Sequence, residues 1–276
     1  MRTLVKNKSG FTLIELLVAM VTGIVVLAGI YAAFDSQQKI HTKEQQVTDA
    51  VQNVRGAAHF MVREIRLAGM DVTGTAGAGF SIAGPHSIRF TLDRDDGGVG
   101  PPDGDVFDED EDITYEFLTE VDSNANGIAD PGVTSLTLTR TAYDAGEAAF
   151  KDDRLAEDIY AIGFAYAFDS DGDGEVEFAD DDGDGELDAG EEIWAYDSDA
   201  DGNLDWDNDT GADLGFTVDF DRIRAVRIWI LARTKNPLRG ASGLKSFKVG
   251  DKPIDRNDNF KYRLLTTTVK CRNMGI

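Results

Sequence analysis

The 276 residues are 42% hydrophobic and 9% aromatic, enough for a packed core and too apolar for a disordered chain. Against 27 Lys and Arg stand 51 Asp and Glu, a net charge of −24, so the dominant basic face of a nucleic-acid binder is missing. One cysteine, Cys271, excludes an internal disulfide and a cysteine-based zinc site, and His41, His59 and His86 form no metal spacing.

The acidity is local. Residues 93 to 213 hold 40 acids and 4 bases, whereas the remainder holds 11 acids and 23 bases. An acidic middle therefore lies between basic ends.

At the N-terminus Arg2, Lys6 and Lys8 precede an almost unbroken apolar run from Phe11 to Phe34. Its 24 residues would measure roughly 36 Å as a helix, against a bilayer core of about 30 Å. The basic residues before it and Asp35 after it predict a single pass with the start inside. A cleaved secretory signal fits poorly, because the run is too long and no Ala-x-Ala site follows. Glu15 is the anomaly: a carboxylate one turn into an apolar helix is costly and needs a partner from elsewhere.

The string Gly10-Phe11-Thr12-Leu13-Ile14-Glu15 closely resembles the type IV prepilin signature. The resemblance implies a leader of residues 1–10, cut after Gly10 by a prepilin peptidase, with methylation of the new Phe11 amine. It also implies that Glu15 pairs with the Phe11 amine of a neighbouring subunit. The expected partners are other pilins, met through the N-terminal helix. The expected location is the inner membrane first and then the pilus and cell surface.

Past Phe34, Ile40, Val47, Val51, Val54, Ala58, Met61, Ile65 and Ala68 recur at helical steps, and no proline interrupts residues 1 to 84. One helix is predicted over about 12–68, its membrane part at 11–34 and its amphipathic part within 35–70. A globular domain at 71–276 follows. Alternating segments predict strands at 87–92, 113–118, 135–141, 159–168, 223–232 and 262–269. The expected class is α+β, with the helix packed on an antiparallel sheet.

Two further stretches carry a resemblance. Phe60 to Met70, with Arg66, Ala68 and Gly69, resembles the helix end of PilW-type minor pilins, and Tyr262 to Asn273 resembles their closing strand. This implies a minor pilin at or near the filament tip that helps start assembly. Two alternatives stay open: a J-type pseudopilin of type II secretion, and a calcium-dependent adhesin borne on a pilus.

Residues 169–213 contain 20 acids and no base, and read as an insertion between strands. Within it, three twelve-residue frames fit calcium loops, with oxygens at positions one, three and five and glycine at six. The first is Asp169, Asp171, Asp173, Gly174, Glu177 and Asp180. The second is Asp180, Asp182, Asp184, Gly185, Asp188 and Glu191, and the third is Asp197, Asp199, Asp201, Gly202, Asp205 and Asn208. Only the second ends in a Glu able to close bidentately, and Asp180 is shared by two frames. Asp122, Asn124, Asn126, Gly127 and Asp130 repeat a fragment of the pattern, with Val133 at position twelve. Calcium is the expected cofactor, because such a run of carboxylates stays open unless cations neutralise it. No nucleophile elbow, zincin or phosphate-loop motif occurs, so no enzyme is expected.

Overall fold

The computed structural model describes residues 11–94, 100–179, 191–238 and 240–274. Helix α1 (Leu13–Ile65) runs 53 residues. By contacts the chain separates into two units, Met1–Gln46 and Val47–Ile276. In the first unit the apolar residues of α1, from Leu13 to Phe34, lie exposed. In the second, the last turns of α1 bury Ala50, Val54, Ala57, Ala58, Met61 and Ile65. These six recur at steps of one, three or four, the spacing of one helical face. Three of them are alanines, which bring the helix backbone close to what it packs on. The helix gives way to turns at Arg66, and Gly69 takes the left-handed φ of +74° while its N–H bonds Thr91 O.

Among the described residues thirteen strands form, all pairing antiparallel. One sheet takes β1 (Phe80–Ala83), β2 (Ile88–Thr91), β3 (Asp112–Glu116), β4 (Leu138–Asp144) and β5 (Ala149–Ala156) in sequential order. A second contains β6 (Ile159–Phe168), β7 (Ala195–Tyr196), β8 (Asn203–Asp207), β9 (Ala212–Asp219), β10 (Ile223–Arg233) and β13 (Tyr262–Lys270). Its order is β13-β10-β6-β7-β8-β9. The hairpin β11 (Leu244–Val249) and β12 (Lys252–Asn257) forms the third.

The centre of the second sheet is β6, all ten of whose residues are buried. Burial on both faces is why it reads as a continuous apolar run. Gly163 in its middle admits the β11–β12 turn, since a Cβ there would stand 2.9 Å from Gly250 N. The sheets join where Phe164 N–H bonds Pro85 O and Asp197 N–H bonds Ala83 O.

The six predicted strands are present, the one at 159–168 with the same bounds and the others with shifted ends, and among the described residues seven others were not anticipated. Two of these, β7 and β8, lie inside the stretch read as an insertion, and β9 begins at its end. That stretch therefore extends the second sheet. Its described carboxylates gather in turns and along the outer strands, while Trp194, Ala195, Tyr196 and Leu204 are buried in the core.

An ionic clamp seats the helix end. Arg140 of β4 bonds both oxygens of Glu64 of α1, at 3.1 Å each, and reaches Asp110 at 2.7 Å. The Tyr115 hydroxyl also donates to Glu64. The Arg140 and Glu64 side chains are only 8% and 12% exposed. Removing one partner from such a pair strands a buried charge, at a cost of about 3–5 kcal/mol. Arg140→Met should lose that much in urea unfolding of the full chain in detergent. Adding Glu64→Gln should recover part of it.

Candidate functional site

Two regions carry candidate chemistry: the start of α1 and the acidic turns. At the helix start the Thr12 N–H and hydroxyl both donate to Glu15 Oε2 at 2.9 Å. Glu15 N–H returns a bond to Thr12 Oγ1 at 3.3 Å. This reciprocal capping box satisfies helix donors that have no partner in the first turn. Glu15 Oε1 has no partner among the described residues. Phe11 is 90% exposed. Gly10 and the leader lie outside the described residues.

The turns at Asp169 and Asp197 share one hydrogen-bond plan. The first aspartate receives the glycine N–H at position six: Gly174 to Asp169 at 3.2 Å, Gly202 to Asp197 at 3.1 Å. Position three receives from five, and five from seven: Asp173 N–H to Asp171, Glu175 to Asp173, Asp201 to Asp199, Asn203 to Asp201. Position nine, Glu177 or Asp205, holds the N–H and hydroxyl of the serine at position two, Ser170 or Ser198. Gly174 and Gly202 sit at φ +93° and +95°, which only glycine adopts without strain.

In each turn three carboxylates, Asp169, Asp171, Asp173 or Asp197, Asp199, Asp201, bring ligand atoms within 4.8 Å of one another. Oxygens bound to one calcium ion at about 2.4 Å lie at most about 4.8 Å apart, so both sets fit that ion. The turn at Asp122 has the same plan, with Asp122 accepting from Gly127 and Asp130 from Ser123. It manages with Asn124 and Asn126 at positions three and five. The backbone shape thus arises without a full set of charges, and the charge count sets the Asp122 turn apart from the other two.

Surroundings separate them further. Arg224 bonds Asp169 Oδ2 at 3.1 Å, and an Arg222 nitrogen lies 2.7 Å from where a Cβ of Gly172 would stand. Among the described residues no cation pairs with Asp197, Asp199 or Asp201. Asn208, at position twelve of the third frame, is buried; its Nδ2 donates to Asp209 and its Oδ1 has no hydrogen-bond partner.

Of the second frame, Asp180, Asp182, Asp184 and Asp188 lie outside the described residues. Glu191 is described. Its carbonyl takes the Ala179 N–H at 2.8 Å, and Phe178 bridges Glu192, so the two ends of that frame meet at an antiparallel neck. A further cluster, Asp103, Asp105 and Asp108, escaped the sequence reading, although its alternating Asp103-Gly104-Asp105 was a signal. Burial pushes the Cys271 thiol up to about 12, so it is a packed side chain rather than a nucleophile.

The family model described as Type IV Pilus-assembly protein W, PilW, matches residues 120–273. That span is more than half of the chain and carries both gathered turns. The chain belongs to the PilW family. A prokaryotic N-terminal methylation motif matches residues 5–31 of this PilW protein, across the capping box and into the exposed apolar helix. Among solved structures it is similar to a type IV-like pilin from Thermus thermophilus, at 13% identity and a TM-score of 0.46. That similarity covers 82% of this chain and 98% of the other. No curated protein matches it. A long N-terminal helix on antiparallel sheets, with that leader motif, makes this a type IV pilin-like protein fitted for a membrane anchor.

Burial opposes the Asp169 anion, but the Gly172 and Gly174 N–H groups and Arg224 outweigh it and hold the carboxyl below its usual range. A depressed folded pKa stabilises above the ordinary carboxylate value, about 3.9, and that stability is lost as pH falls through the folded value. Thermal unfolding between about pH 5 and pH 2 should therefore fall less steeply for Asp169→Asn than for wild type.

Proposed function

We propose that this PilW protein is a minor pilin. It is processed after Gly10, held in the inner membrane with its start inside, and inserted at or near the tip of a type IV pilus, where it helps start assembly. The observation that carries the reading is the methylation motif running directly into an apolar helix whose every side chain from Leu13 to Phe34 is exposed or nearly so. Such a helix is long and apolar enough to cross a bilayer by length and composition.

Within that reading Glu15 has two tasks. One oxygen caps its own helix through Thr12, and the other is left to take the Phe11 amine of the next subunit. Lipid penalises an ionised carboxylate by about 2.5–3.5 kcal/mol at a helix centre, so the incoming amine has a driving force and a fixed stagger. Mass spectrometry of filament-associated protein should find a chain beginning at methylated Phe11. Glu15→Val should still insert in the membrane but fail to enter pili; normal incorporation would remove the pairing role.

Calcium is the cation that the turns at Asp169 and Asp197 suit. Asp197, Asp199 and Asp201 are the stronger set, because Arg224 already neutralises part of the Asp169 set. Bound there, the ion would cross-link a turn between β7 and β8 that is otherwise held by weak local bonds. Full saturation is worth about 2.7 kcal/mol per site at a hundredfold excess over Kd, or about 5–10 °C in Tm for a domain of this size. Millimolar calcium should produce that rise in the full chain. Asp199→Asn with Asp201→Asn should remove much of it, while Asp122→Asn should leave it intact. An equal rise from sodium chloride at about 150 mM would reduce the effect to screening.

A further inference from the structure

A groove of about 510 Å³ opens on the first sheet, lined from residues 118–121, 132–139 and 152–154. Volumes of this order hold small ligands. It lies on the face turned away from α1. Arg140 of β4 reaches Glu64 of the helix, and alternate residues of a strand face opposite ways, so Thr139 and Thr141 point to the other side. Asp152 of β5 joins Thr141 there, accepting its hydroxyl at 2.7 Å, and Arg154 of β5 pairs with Thr139 across the ladder.

The floor of the groove is hydroxyl, and the backbone beside it is bare. Thr137 and Thr139 are buried, at 8% and 3% exposure, and Thr134 and Ser135 stand at the rim. The Ser135 and Thr137 hydroxyls, 3.3 Å apart, bond only each other, and among the described residues those of Thr134 and Thr139 bond nothing. Nor do the backbone N–H groups of Thr134, Ser135 and Thr137 find an acceptor among those residues. These groups are open to a ligand that offers both donors and acceptors. Leu118, Val121 and Val133 complete the lining with an apolar wall.

We infer that the groove binds a neutral saccharide. A sugar ring carries hydroxyls that donate and accept at once, which the threonine and serine hydroxyls match in either sense. The free backbone N–H groups add donors, and the Asp152 carboxylate and Arg154 guanidinium add an acceptor and a fork of donors at the rim. The C–H face of the ring covers the apolar wall. Charge turns other ligands away. Glu120, Asp152 and Asp153 outnumber Arg154 in the lining, which repels phosphate and carboxylate groups. Among the described residues these acids do not gather as those of the turns at Asp169 and Asp197 do, so a metal ion is not the fitting occupant.

The full chain in a phosphocholine detergent, chosen because sugar-headed detergents would compete, tests this on printed glycans and then by calorimetric titration. The probes are neutral oligosaccharides ending in glucose, galactose, mannose or N-acetylglucosamine. At least one should bind, in chelator as well as in calcium, since the turns at Asp169 and Asp197 line no part of the groove. Thr137→Val with Thr139→Val should weaken it roughly tenfold or more. Arg154→Ala, at a side chain 75% exposed, probes the same groove without touching its packed floor and should also weaken binding. Binding of none of these glycans overturns the site, as does unaltered affinity in both variants once circular dichroism shows them folded. A preference for sialylated or sulfated glycans also overturns it, because the acidic rim should reject them.

Discussion

One continuous helix has to satisfy two different surroundings, and the rest of the structure follows from that constraint. Up to Phe34 the side chains of α1, Glu15 and Thr22 aside, are apolar on every side, so no single core could bury them all. From Ala50 to Ile65 only one stripe is apolar, and the two sheets assemble over it. The clamp of Glu64, Arg140 and Tyr115 fixes the end of that stripe in register with β3 and β4. Apolar burial supplies most of the free energy, while the clamp fixes the orientation of the helix end, because desolvation offsets much of what a buried ion pair gains.

The acidic middle solves a second problem, how to fold a stretch dense in like charge. Its carboxylates accept backbone N–H groups inside tight turns, which spreads the charge over local dipoles. Between the turns, Leu204 and Trp206 alternate with Asp205 and Asp207 and place β8 in the second sheet. The same turn recurs at Asp122 with two asparagines in place of aspartates, so the shape belongs to the backbone and the affinity for a cation belongs to the charge count. Arg224, brought in from β10, shows that a protein cation can serve the same end at Asp169.

The helix and six strands were legible because their periodicity is undisturbed. Strand β5 was not, since all but two of its eight residues are exposed and no apolar alternation marks it. Strands β11 and β12 are joined by the two residues Gly250 and Asp251, a turn the sequence could have signalled, but Pro253 and the charges around it obscure the pattern. In β8 the alternation was present and was read instead as calcium-loop positions.

Sequence alone determined the leader motif, the membrane-length apolar run, the amphipathic stripe and the spacing of the acidic turns. All of these depend on residues within one or two turns of chain, where local geometry dictates which side chains meet. Tertiary structure alone decided which turn is left without a protein cation, since Arg224 is 55 residues from Asp169. It also decided that the Asn208 Oδ1 is buried without a hydrogen-bond partner. Desolvation and charge pairing depend on neighbours distant in the chain, and those neighbours exist only once the two sheets have closed over the helix.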